Sequence, residues 1–158
     1  MSDVQARTPS SPEGLIGVYQ ESETVAVVGA STDEAKPGHY IPAYLQSQGY
    51  RIVPVNPRGG EIFREHAFRS LREIDRPVDV VDVFRPPREA EAIARDAIAI
   101  DAKVLWFQPG TETQEAVDIA RDAGLFVVAR YCMGATHRAL RLGPGPHRSR
   151  VVRRSTGR

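Results

Sequence analysis

The sequence is poor in several features that would define whole classes of protein. It contains one cysteine, Cys132, so an internal disulfide is excluded, and no cluster of metal ligands is visible. No apolar run is long enough to span a membrane, and residues 1–12 lack the apolar core of a signal peptide. These absences predict a cytoplasmic protein without a membrane span or a metal centre.

Acidic residues are missing from the C-terminal end of the chain. Residues 141–158 contain six arginines and no Asp or Glu, which leaves 15 basic and 20 acidic residues in the rest, a charge of about −5. Residues 143–158 also have many turn formers and little to bury, so we predict a flexible basic tail, a flexible leader over 1–11 and one domain over 12–142. The tail could bind nucleic acid through phosphates, but a solvated tail partly packed on its own domain is the favoured interpretation.

Short apolar runs alternate with segments of helical spacing along that domain. Strands are predicted at 24–28, 51–55, 78–84, 103–107 and 125–128, and helices at 12–20, 39–47, 90–102 and 113–123. An imperfect alternation in the third strand suggests one partly open face. The pattern predicts the α/β class: a Rossmann-like, doubly wound, mainly parallel five-stranded sheet with helices on both faces. Ligands of such sheets bind at the carboxyl ends of the strands, so the loops there hold the candidate site.

The loop after the first strand contains a single glycine, Gly29. It matches neither the three-glycine dinucleotide fingerprint nor the glycine-rich loop that ends in Lys-Ser/Thr. A glycine lets a phosphate approach the backbone closely, Ser31 and Thr32 can donate hydroxyl hydrogen bonds, and Lys36 supplies charge. A tight turn without a ligand is an equally good interpretation of Gly29 alone.

The end of the second strand helps to narrow the nucleotide. NAD sites place Asp or Glu here to bind the ribose hydroxyls, whereas this chain has Asn56 and then Arg58. A basic residue favours a ribose phosphate, as in NADP or coenzyme A. Pro54 within the strand predicts an edge position or a strand end near a ligand.

The strand-end motifs, taken in order, resemble a known family. They are Gly29-Ala30-Ser31, Gly49-Tyr50-x-x-x-Pro54-Val55-Asn56-Pro57, Asp79-Val80-Val81-Asp82-Val83-Phe84-Arg85, Val104-Leu105-Trp106-Phe107-Gln108-Pro109-Gly110, Arg130-Tyr131-Cys132-Met133 and His137-Arg138-x-Leu140. Over residues 12–142 this series resembles the stand-alone CoA-binding domains, such as the bacterial YccU-type proteins. It is also similar to the CoA-binding domain of the succinyl-CoA synthetase α subunit.

The resemblance implies a Rossmann-like domain that binds coenzyme A through its strand-end loops. It implies contacts to the phosphates, to the nucleotide end and to the adenine or pyrophosphate, and further contacts from the fourth and fifth strand ends. The residues implied for these contacts are Gly29, Ala30, Ser31, Thr32, Lys36, Pro54, Asn56, Arg58, Phe84, Arg85, Pro86, Trp106, Gln108, Gly110 and Cys132. The chain departs from the family pattern in the last loops, where Ala129 and Thr136 stand in place of acidic residues.

Three side chains within these motifs allow two interpretations each. Cys132 could form a mixed disulfide with coenzyme A if Arg130 or His137 favoured the thiolate, or it could be a small buried hydrophobe, which we favour. His137 could be a general base or a phosphate contact, but no supporting residues point to it and a structural role is favoured. Trp106 could stack on a ligand or belong to the core.

We therefore expect a protein that binds coenzyme A or an acyl-CoA without catalysis of its own. An NADP-linked oxidoreductase is the enzyme alternative, although the chain offers no length for a substrate domain. A third alternative is a regulatory module that senses acyl-CoA or a nucleotide and signals to a partner or to DNA through the basic tail. The expected partner is a small molecule, with no membrane or nucleic acid, and a homodimer is compatible with this hypothesis.

Overall fold

Parallel strands form the centre of the molecule in the computed structural model, which describes residues 11–145. The strands within this range are β1 (Thr24–Val28), β2 (Arg51–Val55), β3 (Glu61–Ile62), β4 (Glu65–His66), β5 (Val80–Val83), β6 (Val104–Phe107) and β7 (Phe126–Val128). Five of them make a parallel sheet in the order β2-β1-β5-β6-β7, while β3 and β4 pair as a small antiparallel hairpin. As Pro54 predicted, β2 is an edge strand.

Helices cover both faces of the sheet. They are α1 (Pro12–Glu21), α2 (Pro37–Ser47), α3 (Ala90–Ala99), α4 (Gln114–Asp122) and α5 (Met133–Ala139). The core on one face joins α3 and α4 to Val81 and Leu105, and the core on the other joins α1, α2 and α5 to Val27 and Trp106. Valine-rich strands buried on both faces are typical of parallel sheets, and the predicted Rossmann-like α/β fold is confirmed.

Helix boundaries follow local chemistry. The Thr113 hydroxyl oxygen accepts a hydrogen bond of 3.1 Å from the Ala116 N–H and so caps α4. Gly49 and Gly124, which follow α2 and α4, have φ angles of 100° and 94°, which suits the left-handed turn at a helix end. The predicted start of α2 near residue 39 is two residues late, because Pro37 fits the first turn of a helix.

Two other predictions need correction. The partly open face predicted for the third strand is wrong, since all four residues of β5 are buried, Asp82 among them. Helix α5 was not predicted, because Gly134 and Thr136 are weak helix formers. Its stability comes from packing: a Cβ at Gly134 would lie 3.2 Å from Cγ2 of Ile41, so α5 lies against α2 at close range.

The structure describes only the inner ends of the predicted leader and basic tail. Residues 1–10 and 146–158 lie outside the described residues, so most of the predicted leader and basic tail do as well. At the boundary, the Gly145 N–H donates to the Gln48 carbonyl over 2.5 Å. Within residues 11–145, no helix has the length and apolar character needed to cross a membrane.

Candidate functional site

The sheet order reverses direction between β1 and β5. From β1 the chain goes outward to β2 on one side, and β5, β6 and β7 follow on the other. The loops that leave the carboxyl ends of β1 and β5 therefore run in opposite directions, an arrangement that in open α/β sheets leaves a crevice between them. Such a reversal is where open α/β sheets bind their ligands. We refer to the space between these two loops and the loop after β2 as the switch-point crevice.

Gly29 brings the walls of the switch-point crevice into contact. Its φ is 91°, and a Cβ there would lie 2.8 Å from the Phe84 carbonyl oxygen and 2.9 Å from Cδ of Arg85. A Cβ at Gly38, in the first turn of α2, would lie only 2.5 Å from the Gly29 carbonyl oxygen. Two glycines thus let β1, the loop after β5 and the N-terminus of α2 meet at one point.

The backbone donors of the first loop are largely used within the protein. The N–H groups of Gly29 and Ala30 both point to the Val55 carbonyl, each at 3.3 Å, and the Ser31 N–H donates to the Gly38 carbonyl at 3.1 Å. A phosphate could use these three groups only by replacing those bonds. The Ser31 hydroxyl accepts from the Asp33 N–H at 3.0 Å, so its own proton remains available to a ligand.

Asn56 holds two strand-end loops together. Its side-chain Nδ2 donates to the Ala30 carbonyl over 2.9 Å, and its Oδ1 accepts from the Arg58 N–H over 2.8 Å. The residue that stands in place of the acid of an NAD site is therefore a cross-link between the loops after β1 and β2. The side chains of Arg58, Lys36 and Thr32 are exposed beside it, whereas Pro54 is buried in β2.

Arg85 carries a partner of its own in the loop after β5. Its guanidinium makes a bidentate pair with Glu89, with Nη2–Oε2 at 2.7 Å and Nε–Oε1 at 3.2 Å, and the hydrogen bond to Glu89 raises the Arg85 pKa. The Arg85 side chain remains 43% exposed. It can therefore offer a ligand phosphate only the N–H groups that Glu89 leaves, unless the pair opens. Phe84 and Pro86, on either side, are half-buried.

The residues predicted on β6 lie beneath the crevice. Trp106 has no exposed surface, and its indole Nε1 donates to the Tyr131 carbonyl at 2.7 Å. Gln108 is 5% exposed, and its Nε2 donates to Oδ1 of Asp82 at 2.6 Å. Burial raises the pKa of Asp82 to about 7, against the smaller lowering effect of the bond from Gln108. Of the residues predicted here, Gly110 is the one on the surface.

Cys132 and His137 differ in their access to solvent. Cys132 is half-buried at the start of α5, where its Sγ accepts a 3.5 Å contact from the Ala135 N–H, so it is not the enclosed hydrophobe that we favoured. His137 is 1% exposed, and its Nδ1 lies 2.8 Å from the Tyr44 hydroxyl. The favoured structural role of His137 agrees with this burial.

Sequence reasoning missed His39 at this edge, and it placed Tyr131 only within a strand-end motif. His39, in the first turn of α2, donates from Nδ1 to the Ser31 carbonyl at 2.6 Å and so braces the first loop. The tyrosine at position 131 is 37% exposed where β7 leads into α5. A correct start for α2 would have indicated His39, because a helix that follows a strand begins at the ligand edge of the sheet. Within residues 11–145, no group of three metal-ligating side chains forms.

A family model described as "CoA binding domain" matches residues 23–138, which include every strand and the whole crevice. The chain belongs to this family. The protein YneT of Bacillus subtilis, which is described as uncharacterized, is 34% identical over 131 residues, covering 83% of this chain and 96% of YneT. The predicted relationship to stand-alone CoA-binding domains is confirmed.

Other relatives show the same domain alone or inside a larger protein. The solved structure of cell-free ID.343 from Thermus thermophilus is 39% identical with a TM-score of 0.79, covering 82% of this chain and 98% of that one. The α subunit of an ADP-forming acetate–CoA ligase II from Pyrococcus furiosus is 28% identical, and the match covers 76% of this chain but only 29% of the subunit. This CoA-binding domain thus corresponds to a minor part of the ligase subunit.

Proposed function

We propose that this CoA-binding domain holds coenzyme A, or an acyl-CoA, in the switch-point crevice and carries out no catalysis of its own. The observation that carries the proposal is the meeting of three strand-end loops and the first turn of α2 at Gly29, with exposed cations on the rim. The residues that we propose for the site are those predicted from the sequence, and His39 is added to them.

The chemistry of the rim suits a nucleotide with several phosphates. Lys36 and Arg58 lie exposed on one side of the crevice, and Arg85 lies on the other. Between them, the hydroxyl of Ser31 adds a hydrogen-bond donor and the N-terminal end of α2 adds a favourable dipole. We assign the pyrophosphate to this central position, and the 3′-phosphate of the ribose to Arg58.

The buried residues of the proposed site support the loops that would contact the ligand. Trp106 and Gln108 hold the loops after β7 and β6 from below, by bonds to the Tyr131 carbonyl and to Asp82. Cys132, half-buried at the start of α5, is within the same row of strand ends and is where we place the thiol end of the ligand. No chemistry is assigned to it.

Calorimetric titration with coenzyme A, NADP and NAD tests the proposed ligand. We expect coenzyme A to bind tightest, because the family is a CoA-binding one and the acid of an NAD site is replaced by Asn56. NAD should bind weakest, since it lacks the ribose phosphate. Tighter binding of NADP than of coenzyme A would overturn the proposal and favour the oxidoreductase alternative.

Two single variants, each titrated with two ligands, test the role of Arg58. We expect Arg58→Gln to weaken coenzyme A about 5- to 10-fold at low salt, because an exposed cation contributes modestly to a phosphate contact. Dephospho-coenzyme A, which lacks the 3′-phosphate, should bind both proteins equally. Arg95→Gln, an exposed arginine on α3, is the control and should change neither affinity. An equal loss with both ligands would place the 3′-phosphate elsewhere.

A further inference from the structure

Two polar side chains are enclosed side by side at the carboxyl end of the sheet. Asp82 in β5 is 0% exposed, and Gln108, directly after β6, is 5% exposed. One hydrogen bond joins them, from Gln108 Nε2 to Asp82 Oδ1, at 2.6 Å. Within residues 11–145, the two other oxygens of the pair, Asp82 Oδ2 and Gln108 Oε1, are buried and have no hydrogen-bond partner. Asp82 therefore has one carboxyl oxygen that accepts and one without a partner, while Gln108 donates from its amide nitrogen and has its amide oxygen without a partner.

The pair lacks one hydrogen-bond donor, which a single proton on Asp82 would supply. An ionised carboxylate can only accept, and so can an amide oxygen, so these two oxygens cannot satisfy each other while Asp82 is charged. A neutral carboxyl group can donate from Oδ2 to Oε1 while Oδ1 still accepts from Nε2. Acid and amide then form a closed pair with two hydrogen bonds, and no buried oxygen is left without a partner.

The surroundings of Asp82 do not supply a counter-charge. Its neighbours across the sheet are Val27 in β1 and Trp106 in β6, and no ion pair to Asp82 forms in the described part of the chain. From α1 it faces Tyr19, whose hydroxyl donates to the Met133 carbonyl and whose own pKa is raised by burial and then by the charge of Asp82. Burial raises the pKa of the Asp82 carboxyl as well, against smaller lowering effects of Gln108 and the Val83 N–H.

The remaining titratable groups of this region lie around Tyr19. The ring centroid of His137 in α5 is 5.3 Å from that of Tyr19. The ring centroid of Tyr50, just before β2, is 6.5 Å from that of Tyr19. Tyr44 of α2 and Cys132, at the start of α5, also influence the Tyr19 hydroxyl. None of these groups is among the influences that shift Asp82 itself.

We propose that Asp82 is a positioning residue that the folded protein keeps as the neutral acid, and that its proton bridges to Gln108 and fixes the carboxyl end of β6. Gln108 in turn holds the next turn, since its carbonyl accepts from the Thr111 N–H at 3.0 Å and hydroxyl at 2.7 Å. That this turn borders the ligand rests on the proposed function; the state of the proton does not.

Asp82→Asn separates the two possible states of the carboxyl group. Asparagine has the shape of the neutral acid and can donate to Oε1 and accept from Nε2, so it should preserve the pair. The matched control is Asp118→Asn, because Asp118 accepts an equivalent 2.9 Å bond from Gln114 on the exposed surface of α4. Infrared difference spectra of the wild type across pH should show a protonated carboxyl band that is lost near pH 7. That band should be absent from Asp82→Asn and present in Asp118→Asn.

Unfolding in urea gives a second readout. A carboxyl whose pKa is raised on folding stabilises the protein fully below its ordinary pKa of 3.8, and this stabilisation is lost as pH rises from there to about 7. The free energy of unfolding of the wild type and of Asp118→Asn should fall with pH as expected for one proton, and that of Asp82→Asn should not. A wild type without the infrared band at about pH 5, or an Asp82→Asn variant with the wild-type pH profile, would overturn the proposal. The wild-type spectrum decides the question even if the variant does not fold.

Coenzyme A titrations of the same proteins distinguish this inference from the proposed function. Binding by the wild type should weaken as Asp82 ionises, while Asp82→Asn should bind with an affinity that lacks this pH dependence. If no protein binds coenzyme A, the proposed function fails, and the spectra and unfolding curves still decide the protonation of Asp82. Equal pH profiles of binding in wild type and Asp82→Asn would overturn the positioning role.

Discussion

Gly29→Ala is expected to lower the free energy of unfolding by ~3 kcal/mol or more and to abolish coenzyme A binding. The φ of 91° strains any residue with a Cβ, at a cost of about 1–3 kcal/mol. The added methyl group would also lie 2.8 Å from the Phe84 carbonyl oxygen, which is backbone and cannot rotate away. Relief requires β1 to move from the loop after β5, and that movement opens the switch-point crevice. Urea unfolding and calorimetry measure the two effects.

Gly143→Ala is the matched control for backbone strain. Gly143, after α5 and outside the proposed site, has a φ of 71°, but a Cβ there would find no atom within 4 Å. This variant should therefore lose only about 1 kcal/mol and should bind coenzyme A normally. If both variants lost equal stability, the close approach at Gly29 would contribute nothing, and our account of the crevice would be wrong.

The sequence predicted where Gly29 lies but not what it contacts. A glycine after a run of buried valines indicated the carboxyl end of a strand, and the structure has it there. The carbonyl that fills the space beside it comes from Phe84, 55 positions further along the chain, and nothing local in the sequence indicates that contact. In the same way, the N–H groups of Ala30 and Ser31 donate to the carbonyls of Val55 and Gly38, and nothing local in the sequence indicates those bonds.

The strand positions were predictable because the strands are runs of apolar residues that are buried on both faces of the sheet. Runs of β-branched residues between turn formers fit only the centre of a parallel sheet covered on both faces. The imperfect alternation of the third strand, in which Asp82 lies, suggested a partly open face. The burial of Asp82 depends on a partner on the adjacent strand, Gln108, whose own position was predicted to face a ligand. Pairing of this kind is decided by the register between β5 and β6.

The last helix shows the limit of local propensity. Helix α5 has seven residues, with a glycine and a threonine among them, and it would not form alone. It forms because the space at Gly134 lets it lie against α2, and because Met133 is enclosed in the core of that face. The sequence motif around Cys132 was recognised, but its placement at a helix start required the tertiary contact.

Trp106→Ala should cost about 3–5 kcal/mol of folding free energy, which is the usual loss for truncating a fully buried aromatic side chain. The indole lies 5.7 Å from the ring of Tyr19, so its removal leaves a cavity between α1 and the sheet. Urea unfolding measures the loss. Tyr40→Ala is the control, because Tyr40 is 51% exposed and should lose less than 1 kcal/mol.

Trp106→Phe separates support of the site from direct contact with the ligand. Phenylalanine keeps most of the packing but removes the 2.7 Å bond to the part-buried Tyr131 carbonyl, at a cost of about 1 kcal/mol. Because the indole has no exposed surface, we expect stability to fall while the affinity for coenzyme A changes no more than about 2-fold. A loss of affinity of 10-fold or more with unchanged stability would mean that the ligand reaches Trp106 directly, and that the core contact opens when it binds.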